Sequence, residues 1–175
     1  MHAFTTRSFT LVAAVALLAA CADRAPLAPE HAAPRLAAQS TTGATLATLR
    51  RVTARYHDLE VAKREGFILL HPCESRPGEG SVGIVYFNPE RLLDGAVDPA
   101  LPDALIYEPA DDGRPRLVGV EFAVLDQGQA APTFLGQAFQ PEEEFGVWAL
   151  HAWVWRENPE GMFAEANPRV TCGEE

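Results

Sequence analysis

Two side chains in this sequence are out of keeping with their neighbours. Glu121 lies in Leu117-Val118-Gly119-Val120-Glu121-Phe122-Ala123-Val124-Leu125, where both alternating faces are otherwise apolar. A carboxylate drawn inside such a strand must be neutral, paired or metal-bound, because an isolated buried charge is very costly. Gly119 and Ala123 flank it on the same face and leave room for a ligand. His151 repeats the anomaly: one face of its strand reads Val147, Ala149, His151, Trp153, Trp155. If the two strands are neighbours, Glu121 and His151 can meet. His71, in Leu70-His71-Pro72-Cys73, is a third polar group, held in extended backbone by the proline that follows it. Two histidines and a carboxylate are one recurrent ligand set for a divalent metal. They equally suit an acid/base pair with an orienting group, and a buried His–Glu hydrogen bond also serves purely structural ends. Tyr86, which alternates with Val82 and Ile84, is a candidate lining residue for the same pocket, or a core residue.

Other chemistry is excluded. Gly78-Glu79-Gly80-Ser81-Val82-Gly83 matches GxGxxG, but a nucleotide motif needs a strand before it and a helix after it. Here a strand follows, and Glu79 would repel phosphate. There is no P-loop, no HExxH and no GxSxG. Asp and Glu number 24 against 14 Lys and Arg, a net charge of −10. That balance opposes nucleic-acid binding.

The elements that must position these groups follow from periodicity. Leu46, Leu49, Val52, Tyr56 and Leu59 recur at spacings of three and four, which predicts an amphipathic helix over 44–65. Thr41 or Thr42 can cap its start, and Gly66 its end with Phe67 packing back. Beyond it come short β-type runs: 67–70, 81–88 stopped by Pro89, 104–108 stopped by Pro109, 116–125, and 146–156. Residues 74–80 read as loop, Leu92–Leu93 as a helical turn, and Asp111-Asp112-Gly113 as a hairpin turn. The expected fold is α+β: one N-terminal amphipathic helix packed on a curved, mainly antiparallel sheet of four to five strands.

The amino terminus carries a different message. Leu11–Ala20 is an unbroken apolar run of ten residues after His2 and Arg7, the length of a secretion signal rather than a bilayer span. Leu18-Ala19-Ala20-Cys21 resembles the lipobox of bacterial lipoproteins, which implies that Cys21 is lipidated and becomes the first mature residue. Acyl chains would tie the protein to a membrane, at about 0.8 kcal/mol per buried methylene. Aspartate stands one place beyond the position that signals inner-membrane retention, so the outer membrane is preferred. The organisation expected is a signal peptide (1–20), a lipidated Ala/Pro-rich tether (21–44) and a single domain (45–175). With Cys21 acylated, Cys73 and Cys172 remain, and outside the cytoplasmic membrane a disulfide between them is the default.

Six segments together resemble an uncharacterised family of secreted bacterial proteins. They are Tyr56-His57-Asp58-Leu59-Glu60-Val61-Ala62, Leu70-His71-Pro72-Cys73, Leu117-Val118-Gly119-Val120-Glu121, Leu150-His151-Ala152-Trp153-Val154-Trp155, Asn158-Pro159-Glu160-Gly161-Met162-Phe163 and the final Cys172. The resemblance spans about residues 45–172. It implies the domain boundaries and the disulfide, and no reaction. Relatives carry a histidine where this chain has Val85, which weakens a metal or acid/base site dependent on it. The leading expectation is therefore a cell-envelope lipoprotein binding a small ligand near His71, Tyr86, Glu121 and His151, with no cofactor. An enzyme using His/Glu or divalent-metal chemistry at His71, Glu121 and His151 is one alternative, and a non-catalytic scaffold the other.

Overall fold

The computed structural model describes residues 32–173, with side chains from Thr41 onward. The signal peptide, Cys21 and the first part of the tether lie outside the described residues. No helix among the described residues is long and apolar enough to cross a membrane.

Helix α1 (Ala32–Thr53) leads into a 3-10 turn (Ala54–His57) and a short helix α2 (Leu59–Arg64). Two expectations are corrected. The helix lies within the chain rather than at its N-terminus, beginning at Ala32 inside the stretch read as tether. It also does not run unbroken to 65. Asp58 adopts extended backbone and its carboxylate accepts from the Glu60 N–H, which caps α2 and ends the preceding turn. Aspartate's preference for that capping position overrides the continuing apolar stripe. Thr53 bonds back to the Leu49 carbonyl at 2.7 Å, a contact that bends helices. The far end closes as the sequence predicts. Gly66 sits at φ +91°, its N–H reaches the Lys63 carbonyl and the Phe67 N–H reaches Ala62, the paired bonds of a Schellman stop.

The curled antiparallel sheet has six strands: β1 (Ile68–Arg76), β2 (Gly80–Phe87), β3 (Ala104–Glu108), β4 (Arg116–Leu125), β7 (Gln140–Glu142) and β8 (Val147–Ala152), ordered β1-β2-β3-β4-β8-β7. A separate two-stranded ribbon joins β5 (Thr133–Phe134) to β6 (Gln137–Ala138). Helix α3 (Pro89–Asp94) follows β2, capped by Asn88. The strand count exceeds the expected four to five because β7, with Pro141 at its centre, is too short to show a period. Its place on the sheet edge tolerates the missing N–H. Strand β1 also extends through Pro72 into 74–76, expected to be loop. It is the opposite edge strand, and its pairing with β2 is irregular between His71 and Glu74. Strand β8 ends at Ala152 rather than 156, because the Trp155 and Arg156 N–H groups both turn onto the Val118 carbonyl. Trp155 consequently lies on the helix side, its indole donating to Thr53 Oγ1.

The sheet separates two apolar layers. Leu105, Tyr107, Val120, Phe122 and Leu150 face α1 and α2 with Leu49, Tyr56 and Phe67. Val85, Ile106, Val118 and Trp153 face the other way and pack with Val170 of the carboxyl-terminal tail. A disulfide joins Cys73 in β1 to Cys172 and holds that tail on the sheet. The Ser81 hydroxyl lies 3.3 Å from Cys73 Sγ and 3.1 Å from Cys172 Sγ. Gly80, at φ +100°, presses so closely on the Asn167 carbonyl that any side chain would collide with it. The glycines of the rejected nucleotide motif thus serve a hairpin and a tail contact.

Candidate functional site

Glu121 and His151 are direct cross-strand partners in β4 and β8. Alternation places both on the face opposite α1 and α2, under the tail, the face on which Leu92 of α3 also packs. Glu121 Oε2 stands 3.4 Å from His151 Nε2, and both residues are buried. The other imidazole nitrogen, Nδ1, lies 2.6 Å from the Glu165 carbonyl of the tail. A carbonyl can only accept, so Nδ1 carries a proton and Nε2 is the nitrogen turned to the carboxylate. Burial opposes charge on this ring. The Glu121 hydrogen bond and charge, the Glu165 carbonyl and Glu142 outweigh it, and His151 is held above the ordinary histidine range. The surroundings of His151 thus favour the protonated ring more than solvent does.

Two cavities adjoin this pair, sharing Leu70, Glu121 and Phe145. The smaller, about 120 Å3, brings His71, Glu121 and His151 onto one wall system with Glu74, Arg76 and Glu142. His71 stacks on Phe145 with ring centroids 6.3 Å apart, and its Nδ1 turns to the Pro72 carbonyl. The larger, about 240 Å3, is mostly apolar and includes Phe87, Leu92, Ala123 and Val147 with two carboxyl groups, Glu121 and Asp103. Tyr86 does not belong here. It lies on the helix side, edge-on to Tyr107 at 5.7 Å.

Asp103 escaped sequence reading. It follows Pro102 and directly precedes β3, where an aspartate ordinarily signals an exposed turn. Here it is 2% exposed. Its Oδ2 accepts from the Ala123 N–H at 3.0 Å, while Oδ1 is buried without a partner. Burial first, with repulsion from Asp94 and Glu121, pushes its carboxyl up to about 7 against the Ala123 bond and the weak pull of Arg91. Arg76, Glu142 and Glu165 were also missed. Arg76 fell in the segment read as loop, and Glu142 in a strand too short to detect. Arg76 bridges to Glu165 and so helps hold the tail carbonyl over His151. Burial and the neighbouring Glu165 and Glu121 raise Glu142.

The metal alternative meets an obstacle in this geometry. Both His151 nitrogens are engaged, so a cation would have to part the imidazole from Glu121. Among the described residues no group of three His, Cys, Asp or Glu side chains is placed to hold an ion. No family model matches the chain, and neither a curated protein nor a solved structure matches it.

Proposed function

We propose that this protein is a cell-envelope lipoprotein, anchored through Cys21 with the outer membrane preferred, whose domain binds a small ligand in the paired cavities beside Glu121 and His151. The observation that carries the binding reading is the buried Glu121–His151 pair, of which Glu121 lines two adjoining cavities, one apolar and one polar, and His151 the polar one. An apolar recess with a few oriented polar groups is the usual make-up of a ligand site. The Cys73–Cys172 disulfide accords with an oxidising compartment. The lipobox resemblance of Leu18-Ala19-Ala20-Cys21 supports the anchor.

The enzyme alternative rests on the same pair. Proton transfer by His151 needs a ring nitrogen within reach of the substrate, and both nitrogens are committed, to Glu165 and Glu121. That commitment favours binding over catalysis by the imidazole.

Two measurements test the proposal. Cells given labelled palmitate should mark the wild-type chain, and Cys21→Ser should abolish the label. Retention of label in that variant would remove the anchor. For the pocket, a thermal-shift screen of small amines, carboxylates and neutral fragments against the purified full chain should give saturable hits. Ala123→Leu, which projects into the larger cavity, should lose them. A screen with no saturable hit in any chemical class would overturn the binding reading.

A further inference from the structure

The larger cavity has an unusual imbalance. Its walls are apolar at Leu70, Phe87, Leu92 and Phe145, its polar groups are the carboxyls of Asp103 and Glu121, and no basic side chain lines it. Arg91, the nearest cation acting on Asp103, is committed elsewhere. Its guanidinium donates to the Pro102 carbonyl at 2.8 Å and the Tyr56 hydroxyl at 3.0 Å, and it lies over the Phe67 ring. Glu121 has a polar neighbour in His151, whose Nε2 stands 3.4 Å from its Oε2. On Asp103, Oδ1 is a buried acceptor with no donor. Leaving an acceptor in that state costs about 1–3 kcal/mol; the oxygen itself is closed off from the cavity, so a ligand donor meets it only when the adjoining wall shifts.

We propose that this cavity takes the cationic head of a small amphipathic amine, with the ammonium at Asp103 and Glu121 and the carbon skeleton against the apolar wall. The inference rests on the ligand-binding reading above and names the chemical class of the ligand. An anion would meet two carboxyls and no cation. A neutral ligand would leave unused the charge-assisted bond that makes such contacts strong. The volume, about 240 Å3, equals roughly eight waters at about 30 Å3 each. That fits a compact amine rather than a peptide or an acyl chain. The groups that bear on Asp103 are Asp94 and Arg91 from α3 and Glu121 from β4. An arriving ammonium would favour ionised Asp103, expel its proton to solvent and so bind more tightly as pH rises.

The test compares benzylamine, benzyl alcohol and benzoate by calorimetry on the purified full chain. Benzylamine should bind at least about tenfold more tightly than the alcohol, the increment of one charge-assisted bond. Its affinity should rise roughly tenfold from pH 6 to pH 8, as Asp103 ionises near pH 7. Asp103→Asn should erase both the preference and the pH dependence. If that variant does not fold, the wild-type amine-to-alcohol ratio and pH profile decide alone. Equal or tighter binding of the alcohol or benzoate overturns the cationic class and leaves the ligand pocket standing. Failure of all three while other fragments bind also overturns the class. Failure of all three together with an empty fragment screen overturns pocket and class alike.

Discussion

Replacing Cys73 and Cys172 together by serine should lower the unfolding free energy by about 4–5 kcal/mol, read from urea midpoints at pH 7 under otherwise identical conditions. The two cysteines are 99 residues apart, and closing a loop of about 100 residues restricts the unfolded chain by about 4.7 kcal/mol in the chain-entropy treatment. The consequence should reach the site. Residues 161–173 contain no helix and no named strand; besides the disulfide, the tail is held on the sheet by the Ser81–Asn167 bridge, the Trp153 N–H and indole donating to the Met162 and Ala164 carbonyls, the packing of Val170 and the Arg76–Glu165 ion pair. The Glu165 carbonyl that fixes His151 belongs to that tail. Nitrogen-resolved NMR of the His151 ring should therefore show a broadened or shifted Nδ1–H in the double variant even where it remains folded. A loss below about 1 kcal/mol with an unchanged ring signal would mean that the tail docks without its covalent tie.

What the sequence reveals, and what it hides, divides along physical lines. Arg116–Leu125 and Ala104–Glu108 match the observed strands residue for residue, since a long apolar run and a proline stop leave little choice. The meeting of Glu121 and His151 was legible because each is one polar group in a strand apolar on both faces, and such groups pair when their strands do. The helix was legible in its stripe but not in its break. Asp58 is a strong cap whose effect depends on whether the chain beyond it can turn back onto the sheet, which no local pattern states. Tyr86 stood open between pocket and core for a related reason, and it is a core residue. Alternation shows that it shares a face with Ile84, but only tertiary packing tells which face lies under the helices. Asp103 left no periodic signal at all. It is held by strand pairing and by the N–H of Ala123, twenty residues away, which its carboxylate accepts.

Asp103→Asn should stabilise the domain by an amount that depends on pH. The Asp103 carboxyl is moved from 3.8 in the unfolded chain to about 7 in the fold. Between those values the folded state keeps a proton that the unfolded state has released, so wild-type stability falls as pH rises from about 4 to about 7. At about 1.36 kcal/mol per unit, the loss is on the order of 4 kcal/mol. Asparagine resembles the protonated acid: it can still accept from the Ala123 N–H, and it carries no charge. Urea unfolding at a series of pH values should show wild type and variant close together near pH 4. They should separate progressively, with the variant about 3–4 kcal/mol more stable by pH 8. A gap that does not vary with pH would show that Asp103 is solvated or paired in solution. Saturating benzylamine should narrow the gap at pH 8, because it binds the wild type more tightly than the variant and so stabilises it more.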